Sequence, residues 1–147
     1  MSVVPTSELI DQVLGPRAEV IACLHDAHTG AWQATDPVLL ELCRLRVAQL
    51  LGNAHELGVH TEGVDVPSAM LDALVQWPSS PVFGPRERAV LAFCEQFVID
   101  VASLGSELRD AVAEHLGADG TALFANALLV IEQRQRLRLT WERLGLA

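Results

Sequence analysis

Residues 41–60 read ELCRLRVAQLLGNAHELGVH, and how this stretch folds decides how the rest of the chain is read. From 37 to 51 the apolar residues Val38, Leu39, Leu40, Leu42, Cys43, Leu45, Val47, Ala48, Leu50 and Leu51 cover almost the whole circumference of a helix. A helix without a polar face is a central one, packed on several sides. Its start is marked by Asp36-Pro37: the carboxylate can accept from free backbone N–H groups, and proline takes the first helical position, where no N–H is missed. Glu41, one turn in, is a candidate for burial. Gly52 supplies a tight corner. The spacing then predicts a second helix over 53–62, stopped by Gly63, that carries Asn53, His55, Glu56 and His60.

Positions 53, 56 and 60 are separated by three and four residues, so at about 100° per residue they share one helix face, while His55 looks elsewhere. Folded back as an antiparallel hairpin about Gly52, with a rise of about 1.5 Å per residue, the second helix brings residues 60–63 level with Glu41. Glu41, Glu56 and His60 are therefore the candidate catalytic residues. Two carboxylates raise the proton affinity of an imidazole while burial raises theirs, which is a means of moving a proton. Asn53 and His55 are candidates for lining the pocket or capping the helix. A structural reading competes, because Asn53-x-x-Glu56 is also a capping box, with Asn accepting from an orphan N–H and Glu reaching back. A metal held by Glu41, Glu56 and His60 is disfavoured by the unfamiliar spacing of the three, and no metal or cofactor is expected.

Working outward, 147 residues suit one domain, with a helical arm over 1–35 and a helical domain over 36–147. In the arm, Thr6 or Ser7 can cap a short helix that breaks near Gly15-Pro16. RAEVIACLHDAH then has helical spacing and ends at Gly30. The arm is a lid or a packing element. His25 and His28 lie near that helix's end, where a protonated imidazole complements the dipole; two histidines without a third ligand make a poor metal site. Further on, helices are expected from Pro67 or Ser68 to just before Pro78, from Pro85 to about Ser103, from Ser106 to Leu116, and over a long last stretch. In that stretch Glu132/Arg136 and Arg138/Glu142 form four-residue pairs that solvate a helix face, preferred to an anion-binding arginine cluster. No segment alternates as a strand does and no repeat is present. The fold class is all-α, a single-domain bundle of six to seven helices around a central antiparallel hairpin.

The formal charge is −9 with no lysine in the chain, which disfavours nucleic acid and anionic lipid as partners. No apolar run reaches the roughly 18 residues of a membrane span, and the N-terminus has no signal-like core, so a soluble, cytoplasmic protein is expected. Half the residues are hydrophobic, with three Trp and no Tyr, which suggests a homo-oligomer that hides apolar surface. Cys23, Cys43 and Cys94 are odd in number and embedded in apolar sequence, as buried reduced thiols are.

The segments Glu41-x-x-Arg44-x-Arg46-Val47-x-Gln49 and Gly52-Asn53-x-His55-Glu56-x-x-x-His60-Thr61, supported by Arg86-Glu87-Arg88-Ala89 and residues 131–137, resemble the alkylhydroperoxidase D-like and carboxymuconolactone decarboxylase superfamily. The resemblance covers about 36–144. It implies that Glu41, His55 and His60 occupy proton-relay positions, and that Asn53 and Glu56 stand where the peroxidase branch has its two redox cysteines. Neither can reduce a peroxide or close a disulfide. Glu56-x-x-x-His60 without paired cysteines is similar to the decarboxylase branch, which handles a small lactone acid by proton transfer. The family also suggests a trimer or hexamer. The expected function is Glu/His proton transfer, of lyase or isomerase type, on a small carboxylated metabolite. Two alternatives stand beside it: a non-catalytic binding or oligomer-forming protein, and a peroxidase that works through Cys43 or Cys94 as a lone thiol.

Overall fold

A computed structural model describes residues 4–147. It contains seven α-helices and, among the described residues, no strand: α1 Thr6–Leu14, α2 Ala18–Ala34, α3 Pro37–Leu51, α4 Ala54–Leu57, α5 Ser68–Ala73, α6 Pro85–Ile99 and α7 Ser106–Arg143. Short 3-10 turns follow α5 and α6. The helix α7 is broken by Gly117, whose φ of 74° and ψ of 173° are not helical, so the separate helices expected on either side of that glycine meet at a kink.

The helix α3 sits at the centre, packed against α6, α7 and, more lightly, α2. Its Asp36 carboxylate accepts from the backbone N–H of Val38 at 3.0 Å and of Leu39 at 3.1 Å, with Pro37 in the first turn. Leu39, Leu40, Leu42, Cys43, Val47 and Ala48 are all buried, and each large aliphatic side chain removed from water contributes about 1.5–3 kcal/mol. All of these but Ala48 join Val90, Leu91 and Cys94 of α6 and Phe124, Leu128 and Ile131 of α7 in one core. Gly52 ends α3 in the left-handed conformation (φ 67°, ψ 36°), and its N–H returns to the carbonyls of Ala48 and Gln49; a β-carbon is disfavoured in that conformation. A second, smaller cluster fastens the N-terminal arm: Leu9 and Ile10 of α1 pack on Trp141 near the end of α7, with Ile21, Leu24 and Leu137 around them.

Four local expectations change. The return arm after Gly52 is one helical turn, Ala54–Leu57, not a helix to residue 62. Gly58 takes the cap position with its N–H on the carbonyls of Ala54 and His55, and residues 59–61 run on without helix. Glycine lowers helix propensity by about 1 kcal/mol relative to alanine, enough to stop so short a helix. In α2 the helix passes through Gly30 to Ala34, so His25 and His28 lie within it and not at its end. Neither Thr6 nor Ser7 caps α1, whose N-cap is Pro5 without a side-chain bond. Cys23 is exposed, whereas Cys43 and Cys94 are buried.

Candidate functional site

The site is assembled around Arg44. This residue lies one turn after Glu41 on α3, and both point toward the short segment that follows Gly52. Arg44 Nε and Nη2 each reach one oxygen of the Glu41 carboxylate at 2.8 Å, a two-pronged pair. Nη1 donates to Glu56 Oε2 at 2.8 Å and to the Glu56 carbonyl at 2.9 Å, and Nη2 also donates to the Val59 carbonyl at 2.8 Å. A guanidinium has five N–H donors, and all five are spent. The fork explains why the chain after α4 holds its course without helix: Arg44 supplies the donors that the carbonyls of Glu56 and Val59 would otherwise lack.

Glu41 is saturated from the other side. Its Oε1 accepts from the Thr61 backbone N–H at 3.2 Å and its Oε2 from the Thr61 hydroxyl at 2.6 Å. Burial opposes its ionisation, but the Arg44 and Thr61 hydrogen bonds win and hold its carboxyl below the ordinary value. With four donors on two oxygens and only 1% of its surface exposed, Glu41 has nothing left for a ligand. It faces Thr61 where the helical hairpin placed it opposite His60.

Glu56 is different. Its Oε1 accepts from the Thr6 hydroxyl of α1 at 2.6 Å and its Oε2 from Arg44, so two of roughly four lone-pair positions remain open. Asn53 accepts from the Glu56 backbone N–H through Oδ1 at 3.3 Å, half of the expected capping box. The reciprocal bond is absent: the Asn53 N–H goes to the Ala48 carbonyl and the Glu56 carboxylate turns inward to Arg44 and Thr6. Asn53 is therefore a cap, and Glu56 is free of that duty.

Glu56 lines a cavity of about 330 Å³ bounded by residues 5–7 of the arm, by 55–61, and by α2, α3 and α7. Three of the chain's five histidines line it: His28, His55 and His60. His60 is exposed, so solvent reaches it. Burial pushes His28 down to about 4, with the Arg134 charge acting the same way, so its ring is neutral near pH 7. Burial also lowers His55, with Arg138 next. From α7 come Arg134 and Gln135. Gln135 Nε2 donates to the Arg44 carbonyl at 2.9 Å and Arg134 Nη2 to Ser7 Oγ at 2.9 Å. Among the described residues, Arg134 Nη1, Gln135 Oε1 and His28 Nδ1 have no partner.

The expected catalytic residues thus fall into separate roles. Glu56 and His60 share the cavity with His55, while Glu41 stands behind Arg44. Among the described residues no three of His, Cys, Asp and Glu are grouped as a metal site would need. Arg134 and Gln135 were not singled out by the sequence, because their partners Ser7 and Arg44 lie far along the chain; Thr6 and His28 were read there as a helix cap and a helix-end histidine, not as residues of this site. The expected surface pairs on α7 do form, Arg136 with Glu132 and Arg138 with Glu142, both at 2.8 Å, yet Arg134 and Arg138 are buried and turn toward the arm. Arg138 Nη1 donates to the Val4 carbonyl at 2.9 Å and to Thr6 Oγ1 at 3.2 Å.

No protein-family model matches the chain, and no curated relative matches it. No helix of the described residues is long and apolar enough to cross a membrane.

Proposed function

We propose that this protein is an alkylhydroperoxidase D-like, carboxymuconolactone decarboxylase-type protein that moves protons on a small carboxylated molecule, as a lyase or isomerase does, and not by thiol redox chemistry. One observation carries this reading: a carboxylate with open lone pairs, Glu56, shares a cavity of about 330 Å³ with three imidazoles. A pocket of that size suits a small metabolite. In this reading Glu56 takes a proton from the ligand, and His60, reached by solvent, exchanges it with water. Arg44 and Thr6 hold the Glu56 carboxylate in place, and Glu41 is a positioning residue that acts through Arg44.

The non-catalytic alternative calls for a filled site, with Asn53 and Glu56 engaged by backbone N–H groups. Asn53 fits that pattern, but the open cavity and the inward Glu56 carboxylate favour an active one. A thiol peroxidase is favoured by nothing in the cavity, since no cysteine lines it. Cys43 and Cys94 are fully buried, and burial pushes the Cys43 thiol well up, against the thiolate such chemistry requires. A homo-oligomer remains part of the proposal, supported by exposed apolar residues such as Leu123 and Leu129 of α7.

The test is proton exchange. Small carboxylic acids and lactone acids with acidic C–H bonds are incubated with the protein in D2O and followed by proton NMR. Deuterium incorporation that falls by about 100-fold or more in Glu56→Gln and His60→Ala, with the fold retained, supports the assignment. Exchange that is unchanged in both variants, or absent for every acid tried, sinks it.

A further inference from the structure

Arg134 differs from the buried Arg44 and Arg138 in having, among the described residues, no carboxylate within ion-pair distance. Arg44 spends all five donors, three of them on two carboxylates, and Arg138 lies 2.8 Å from the Glu142 carboxylate. Arg134 is 6% exposed, and among the described residues its hydrogen-bond partner is the neutral Ser7 hydroxyl, while Nη1 has none. Buried guanidinium groups are rare without an anion, because loss of hydration is repaid only by charge-assisted hydrogen bonds.

A second orphan lies one residue on. Gln135 is 1% exposed; its Nε2 is engaged by the Arg44 carbonyl and its Oε1 is free. Exchanging the two ends of the amide would set Oε1 against that carbonyl, so the free end is an acceptor. A buried donor with positive charge and a buried acceptor thus border the same cavity.

We propose that Arg134 is the seat of a monocarboxylate ligand, whose oxygens accept from its guanidinium, while Gln135 Oε1 takes a hydroxyl or N–H donor of the same molecule. The inference rests on the small-molecule reading of this cavity and names the residue that anchors the ligand there. Charge selects the class. Glu41 and Glu56 balance Arg44 and Arg134, so a carboxylate leaves one negative charge in the site, whereas a phosphate dianion leaves two beside Glu56. Ser7 extends the seat: its oxygen accepts from Arg134 Nη2, and its own O–H remains to donate to the anion. The downward push on Arg134 from burial, opposed by Glu56, is the imbalance that a bound anion relieves.

The test is binding without turnover, by calorimetry at fixed ionic strength. The probes are acetate, lactate and benzoate, with inorganic phosphate and the uncharged amides of the same acids as comparisons. Saturable binding of a carboxylate is expected, weakened about tenfold or more in Arg134→Gln, as expected for loss of a charge-assisted bond. Should Arg134→Gln fail to fold, guanidinium resonances of wild-type protein labelled in arginine serve instead, with the Arg134 signal moving on titration. The proposal is overturned if no carboxylate binds, if phosphate binds more tightly, if Arg134→Gln binds as well as wild type, or if the Arg134 signal stays still. Carboxylate binding without solvent exchange would defeat the proton-transfer reading and leave this seat standing.

Discussion

Replacing Arg44 with methionine keeps much of the aliphatic stem and removes every donor of the guanidinium. Two buried carboxylates then face each other without a cation: Glu41, left with Thr61, and Glu56, left with Thr6. Removing one partner of a buried ion pair costs about 3–5 kcal/mol, and the carbonyls of Glu56 and Val59 lose their donors as well. Against a total stability of roughly 5–15 kcal/mol for a domain, Arg44→Met is expected to lose a large share of the fold. The pH dependence carries the more specific signature. In the wild type Arg44 holds the Glu41 carboxyl below its ordinary value, so that contribution is present at neutral pH and fades as pH falls through the folded value. In Arg44→Met burial is opposed by the Thr61 hydrogen bonds alone, with the unpaired Glu56 carboxylate nearby adding like-charge repulsion. Glu41 is then expected to rise above its unfolded value, so the folded state binds the extra proton and stability increases from pH 7 to pH 5. Urea unfolding at both pH values, followed by circular dichroism, measures the two slopes. Converting Glu41 and Glu56 to glutamine in the same variant should restore much of the loss, since buried ions replaced together are often near neutral. A loss below about 1 kcal/mol at pH 7 with a wild-type slope would refute the account of Arg44 as the centre of the site.

Two further predictions complement the exchange and binding experiments. The His28 ring, at about 4 against about 6.5 unfolded, binds its proton more readily in the unfolded chain, so its contribution is present above about 6.5 and is lost as pH falls toward 4. The full linkage is about 3 kcal/mol, reduced to ~1–2 by partial solvent screening; His28→Gln should flatten the stability curve over that window, and an unchanged curve would remove the burial argument. A thiol-alkylating reagent should modify Cys23 alone in the native protein and all three cysteines after unfolding, read by mass spectrometry; native labelling of Cys43 or Cys94 would contradict their burial and reopen thiol chemistry.

The fold was legible where local rules act alone. Asp36-Pro37 as a start, Gly52 as a left-handed stop, and an apolar run without a polar face were enough to place α3 at the centre. The helix expected to end at Leu116 likewise stops there, at the non-helical Gly117 that divides α7. Misreadings came where a local rule competed with a partner elsewhere. Thr6 and Ser7 are good caps by residue type, yet their hydroxyls are engaged by Glu56, fifty residues away, and by Arg134. The α7 arginines show apolar alternation that suits a solvated face, but the arm covers that face and buries Arg134 and Arg138. Periodicity along one element cannot reveal what a distant helix lays over it.

Gly58 shows how one residue reorganises the site. Helical spacing placed Asn53, Glu56 and His60 on one face, an inference that needs unbroken helix across Gly58. Because the helix stops at Leu57, the next four residues unwind, and the position that reaches Glu41 becomes Thr61. A threonine there donates through both its backbone and its hydroxyl, which satisfies Glu41 and withdraws it from chemistry. The same unwinding exposes the Val59 carbonyl to Arg44, completing the five-donor fork, and leaves His60 at the mouth of the cavity in contact with solvent. The buried carboxylate pair thus divides its work: Glu41 fixes Arg44, Arg44 fixes Glu56, and only Glu56 meets the cavity. That division follows from the hydrogen-bond count, since an oxygen already accepting two donors has no lone pair to offer a ligand, while one accepting a single donor does.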